Sequence, residues 1–216
     1  MKQTHKAMKH LARTTLAAAA AMLAASAQAK TLISEVLYDA TGTDRGNVFI
    51  ELYGAPGASL GGLFLEGVNG ADGSIYKTAT LSGTIPSDGV FVIGDDSGNG
   101  TSLVSNVDLV LDVEFQNGPD SIVLRDANGI LDALGYGDFS SAVFAGEGSA
   151  APDVPGGWSL ARHDPLLDTD DNAADFLGID IPTPGLVPAS TVPVPPAVAL
   201  FLSGFAGLVG VARRRG

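Results

Sequence analysis

The sequence predicts an all-β fold, an antiparallel β-sandwich, over residues 30–189. Three observations carry this expectation. Short apolar or alternating runs recur along the body, glycine-rich turn signals separate them, and no stretch keeps a helical period for three turns. The first run is Leu32 to Tyr38. The second, Asn47 to Tyr53, alternates. Val48, Ile50 and Leu52 face one way, and Asn47, Glu51 and Tyr53 the other, with Phe49 the exception. A period of two marks a half-buried strand. Leu63 to Glu66, Val90 to Ile93 and Leu109 to Phe115 follow. Ser121 to Arg125 alternates again, with Ile122 and Leu124 on the inner side. Asp126-Ala127-Asn128-Gly129 then reads as a hairpin turn into Ile130 to Tyr136, because Asn-Gly readily takes left-handed dihedrals. Asn69-Gly70, Asp72-Gly73, Asp88-Gly89 and Asn117-Gly118 supply further turns. Trp158 to Arg162 is the last run. Trp158, the only tryptophan, is expected to anchor the core, with ligand stacking as its alternative role. A body of this length can bury an adequate core without staples.

Charge is distributed unevenly. All 24 acidic residues lie between Glu35 and Asp180. Only Arg45, Lys77, Arg125 and Arg162 oppose them there, and with Lys30 counted the body carries a formal charge of −19. Such a field repels phosphate backbones and excludes nucleic acid as the main partner. The absence of cysteine removes disulfides, thiolate metal sites and cysteine nucleophiles together.

The remaining bases mark the two ends. Lys2, Lys6, Lys9 and Arg13 form a basic leader, and Leu16 to Ala25 is a short apolar segment. Ala27 and Ala29 supply the small pair of a signal-peptidase site, so residues 1–29 read as a secretory signal and Lys30 as the mature start. At the other end, a proline-rich stretch precedes an uncharged apolar segment, 197–212, and then Arg213, Arg214 and Arg215. A helix over that segment spans about 24 Å. It can insert in a membrane with the arginines at the cytoplasmic interface. Its Ser203, Gly204, Ala206, Gly207 and Gly210 allow another membrane helix to approach closely. A plain tail anchor is the simpler reading of the same residues.

The three-part order over 190–216 resembles a PEP-CTERM sorting signal. Its parts are Val192-Pro193-Val194-Pro195, the apolar helix with Ser203-Gly204, and Arg213-Arg214-Arg215. Val194 stands where the namesake motif has glutamate. The resemblance implies export machinery and exosortase as partners, the latter a membrane-embedded cysteine protease-transpeptidase of Gram-negative bacteria that make extracellular polysaccharide.

The body resembles the lamin tail domain. The pieces, in order, begin with Ile33-Ser34-Glu35-Val36, Phe49-Ile50-Glu51-Leu52 and Leu60-Gly61-Gly62. Ile85 to Val92, Asn117 to Leu124 with Asn128-Gly129, and Asp132 to Tyr136 follow. Trp158-Ser159-Leu160-Ala161-Arg162, Asp168 to Asn172, Asp175-Phe176 and Thr183-Pro184-Gly185 complete the series. Leu63 and Phe64 replace the family's usual tryptophan. The resemblance implies an immunoglobulin-like sandwich acting as an interaction module. Between two address signals, such a module is expected to contact a surface protein or a polysaccharide.

Catalytic sets are scarce. His163 is the only histidine of the body. Ser159 and Asp164 lie near it in sequence, but residues four apart on a strand are about 13 Å apart. No Gly-x-Ser-x-Gly elbow occurs. Glu35 and Glu51 remain as a carboxylate pair for a hydrolase acting on envelope polymers, against a structural hydrogen-bonding role. The expectation is therefore a non-enzymatic module without a cofactor. Calcium is the one ion considered. Asp168, Asp170 and Asn172 place oxygens at alternate positions, as a calcium loop does, although the EF-hand pattern fails at Ala173 and Ile179. An Asx-rich turn explains the same residues. Asp95 to Gly100 is a second candidate of the same kind.

Overall fold

The computed structural model describes residues 30–139 and 143–186. The expected signal (with Ala27 and Ala29) and the sorting tail from Val192 to Arg215 lie outside those residues. The described chain forms ten strands and one short helix. They are β1 (Leu32–Leu37), β2 (Phe49–Tyr53), β3 (Phe64–Asn69), β4 (Ile75–Thr80), β5 (Val90–Asp95), β6 (Leu109–Leu111), β7 (Asp120–Arg125), β8 (Ile130–Tyr136), β9 (Ser159–Arg162), α1 (Asn172–Asp175) and β10 (Phe176–Ile179). Two sheets result, a six-stranded one ordered β10-β9-β1-β2-β5-β6 and a four-stranded one ordered β4-β3-β7-β8. Every pairing is antiparallel except β5 with β6. The all-β expectation therefore holds for the body.

The main core lies between the sheets. Ile33, Val36, Ile50, Leu52 and Ile93 come from the first sheet, and Leu65, Ile122, Leu124 and Leu134 from the second. Ile33 and Val36 both reach this core although they are three apart. A register shift between Ile33 and Glu35 absorbs the extra residue, as a bulge does. Tyr38 and Tyr136 stack across the core with ring centroids 4.2 Å apart.

Three expectations are corrected. The second run is not half-buried. Phe49 joins Leu37, Val90 and Val92 in a separate outer cluster, and Glu51 is only 2% exposed. The connection from β5 to β6 brings Val104 and Val107 over this outer face. Trp158 is 38% exposed and is no core anchor. Its N–H closes a tight turn onto the Pro155 carbonyl, which holds it outside the sheet ahead of β9. The hairpin between β7 and β8 forms, but Asn128 does not take a left-handed backbone. Asp126 accepts the Asn128 and Gly129 N–H groups instead and caps the turn.

Candidate functional site

The densest polar site is built around Arg162 on β9. The sequence places this one base in a short apolar strand, so its charge must be neutralised locally. Its side chain is fully buried. Nη2 donates to both oxygens of Asp132 on β8, at 3.0 and 3.1 Å. Nη1 donates to Asp175 Oδ2 at 2.9 Å and to the Leu167 carbonyl at 3.1 Å. Nε donates to the Ile33 carbonyl at 3.0 Å, and the guanidinium stacks on the Phe176 ring. Asp132 also accepts the Ile33 N–H at 2.6 Å. One buried arginine thus ties β1, β8 and β9 to the segment that leads into β10.

Asp168 and Glu147 extend this cluster toward solvent. Carboxylate oxygens of Asp132, Glu147 and Asp168 lie within 4.8 Å of one another. Lys30 Nζ donates to Asp168 Oδ2 at 2.7 Å, and Arg162 Nη1 lies 3.7 Å from Asp168 Oδ1. Glu147 Oε2 is buried and has no hydrogen-bond partner among the described residues. Burial, reinforced by the charges of Asp132 and Asp168, pushes the Glu147 carboxyl up to about 7. Burial also opposes ionisation of Asp168, but the Lys30 bond, the Asp170 N–H and the nearby cations hold it below its ordinary value. Asp132 is raised by burial, against the pull of Arg162. Chemically, the arrangement is three converging carboxylates already met by two of the protein's own cations.

The loop that carries Asp168 is held by backbone satisfaction. Asn172 is buried, and its Oδ1 accepts the Gly135 and Glu147 N–H groups at 2.8 and 2.9 Å. Its Nδ2 donates to the Ala133 carbonyl at 2.7 Å. Asp171 caps α1 and accepts the Ala173 and Ser149 N–H groups. Asp170 has a left-handed backbone with φ of 55° and donates its N–H to Asp168 Oδ1. A side chain at Gly148, whose φ is 57°, would meet the Asp170 carbonyl at 2.7 Å, so the loop closes against a glycine. Of Asp168, Asp170 and Asn172, only Asp168 joins the carboxylate cluster. Asp132, Glu147, Lys30 and Arg162 were not legible as its partners from spacing. They arrive from β8, the segment before Ala151, the residues ahead of β1, and β9.

Glu35 and Glu51 form a second constellation. They face each other across β1 and β2. Glu35 accepts the Ser159 hydroxyl at 2.6 Å, the Thr183 N–H at 2.8 Å and the Thr183 hydroxyl at 2.7 Å. Glu51 accepts the Ser34 hydroxyl at 2.7 Å and the Gly185 N–H at 2.8 Å. Burial, with smaller additions from Glu35 and Asp88, pushes the Glu51 carboxyl up to about 7 against the pull of its two donors. Together the pair clasps residues 183–185 onto the outer face of the six-stranded sheet.

The other sequence candidates are placed differently. Ser159 gives its hydroxyl to Glu35. His163 borders an apolar hollow of about 320 Å³ formed with Ala161, Leu177, Ile179 and Leu186. In the Asp95 to Gly100 loop, Asp95 accepts the N–H groups of Gly46, Val113 and Glu114, and Asp96 those of Gly98, Asn99 and Gly100. Asp96 thus organises its own loop, and Asp95 ties the turn before β2 to the segment after β6.

No protein-family model matches this chain, and no curated protein matches it.

Proposed function

We propose that the chain is an exported β-sandwich of the lamin tail type. It is sorted to the cell envelope by exosortase through a PEP-CTERM-like tail. There it acts as a non-enzymatic surface or matrix module that contacts proteins or polysaccharide. The observation that carries the non-enzymatic reading is the use made of Glu35 and Glu51. These are the two buried carboxylates that a hydrolase would need, and their oxygens accept Ser34, Ser159, Thr183 and Gly185. The lamin tail reading is supported by where its sequence pieces fall. They lie in order on β1, β2, β7, β8 and β9, and end on the clasped Thr183-Pro184-Gly185. The sorting reading rests on the order of proline motif, apolar segment and arginine cluster over 190–216.

Deletion of residues 191–216 tests the sorting reading. The full chain is expected in the envelope or on the surface, and the truncated chain in the periplasm or medium. Fractionation followed by mass spectrometry of the mature C-terminus reads the outcome. An unchanged distribution and an uncut C-terminus would remove exosortase from the account.

The Asp132, Glu147 and Asp168 cluster favours a second reading, a calcium-responsive adhesion module. A hard cation takes carboxylate oxygens, and extracellular sites fill at about 10⁻⁴–10⁻³ M. Binding to the folded state alone raises stability by mass action. On this reading, millimolar calcium raises the melting temperature of the wild type and not that of Glu147→Gln. Equal melting curves in calcium and in chelator would discard it.

A further inference from the structure

The sequence contains four Asn-Gly steps, at Asn69, Asn99, Asn117 and Asn128. Each is a potential site of spontaneous deamidation, because glycine leaves the following backbone nitrogen open to approach. The reaction needs two free groups, the asparagine side-chain amide and the next N–H. The structure treats the four steps unequally.

In three of them a carboxylate holds the glycine N–H. Gly70 donates to Asp120 Oδ1 at 2.8 Å, Gly100 to Asp96 Oδ1 at 2.8 Å and Gly129 to Asp126 Oδ1 at 3.0 Å. Their asparagine side chains are engaged as well. Asn69 Oδ1 accepts the Ala71 N–H, Asn99 Oδ1 accepts the Thr101 N–H and hydroxyl, and Asn128 Nδ2 donates to Asp126 Oδ2. The fourth step differs. Among the described residues, neither the Asn117 side chain nor the Gly118 N–H has a hydrogen-bond partner. Its flanks are fixed. Gln116 donates its N–H to the Tyr76 hydroxyl at 3.0 Å and accepts the Tyr136 hydroxyl at 2.6 Å, and Asp120 begins β7. Exposure does not separate Asn117 from Asn99 and Asn128, since all three are exposed, while Asn69 is half-buried.

We propose that Asn117 is a modification site, the residue at which this protein converts without an enzyme to aspartate and isoaspartate. The Gly118 nitrogen gives its proton to solvent base and attacks Asn117 Cγ. A C–N bond forms, the Cγ–Nδ2 bond breaks, and ammonia leaves with a proton from water. The resulting succinimide takes up one water at either carbonyl. Opening at one carbonyl yields aspartate, and at the other isoaspartate, with the backbone running through the side-chain carbon. Both products add a negative charge to the loop before β7. The other three steps are protected because the attacking nitrogen must first give up a charge-assisted hydrogen bond. Loss of such a bond costs about 1.5–3 kcal/mol, so protected steps react at least about tenfold more slowly.

The test incubates the purified full chain in mildly alkaline buffer and follows each Asn-Gly peptide by mass spectrometry, with Asp126→Ala and Asp96→Ala beside the wild type. Both aspartates sit in surface turns. In the wild type, Asn117 is expected to convert first, about tenfold or more ahead of Asn99 and Asn128. Asp126→Ala should accelerate Asn128 alone, and Asp96→Ala should accelerate Asn99 alone. Conversion of Asn99 or Asn128 as fast as Asn117 in the wild type would overturn the proposal. Rates unmoved by both substitutions would overturn it equally.

Discussion

Replacing Arg162 with methionine is expected to destabilise the body by about 3–5 kcal/mol. That is a fall in melting temperature of about 6–20 °C for a domain of this size. The size follows from what is left behind rather than from the pair itself. Asp132 and Asp175 are both buried, and each would lose its guanidinium donor. The Ile33 and Leu167 carbonyls would lose their donors too. An uncompensated buried charge is far costlier than a missing surface contact. The internal control is Lys77→Met. Its partner Asp112 is mostly exposed, and such a pair contributes about 0–1 kcal/mol. Adding Asp132→Asn to Arg162→Met should recover part of the loss, because it removes one of the stranded charges. Chemical denaturation of the three variants decides the matter. Equal midpoints for Arg162→Met and Lys77→Met would show that the buried network is not what joins the strands.

The second large effect concerns pH. The Glu51 carboxyl is pushed up to about 7, from an ordinary value of 4.5. A carboxyl raised on folding binds its proton more tightly in the native state. Its contribution to stability is therefore complete below about pH 4.5 and is lost as pH rises toward and through 7. The gap corresponds to at most about 3 kcal/mol. Glu147, also raised to about 7, works in the same direction. Asp72, Asp96 and Asp126 are lowered by hydrogen bonds from their own turns, so what they contribute is lost only as pH falls below about 3.8. Melting temperature is thus expected to climb as the buffer goes from pH 8 to pH 5. Glu51→Gln should flatten that slope, because it carries no proton to lose. A wild-type curve that is level or falls over this interval would contradict the assignment.

Much of the body was legible because its strands advertise themselves. Ser121 to Arg125 puts Ile122 and Leu124 on one face, and the Asp126 to Gly129 turn follows at once, so β7 and β8 pair as the pattern requires. Two strands escaped. β4 lies at a sheet edge and leaves Ile75 exposed while burying Ala79, which inverts the usual hydrophobic signal. β10 has four residues and no turn before it, because α1 runs straight into Phe176. The second face of β2 misled for a different reason. Glu51 looks solvent-facing until residues 183–185 fold back over it, a long-range event that no local period reports. The carboxylate cluster was legible only at Asp168. Its partners Asp132 and Glu147 are brought there by the packing of β8 and by Asn172, which accepts the Glu147 N–H. A lone arginine in an apolar strand of an acidic body was the one signal that could have located it.

The clasp on Thr183 and Gly185 also decides how a pull would travel. Tension applied at Leu186 does not first peel β10 from the sheet margin. It meets Glu35 and Glu51, which sit on the two central neighbours β1 and β2, while the Asn106 amide donates to the Pro184 carbonyl at 2.8 Å. Load is therefore passed first to two interior strands. A tether attached beyond that point would hang from the middle of the six-stranded sheet rather than from its hem.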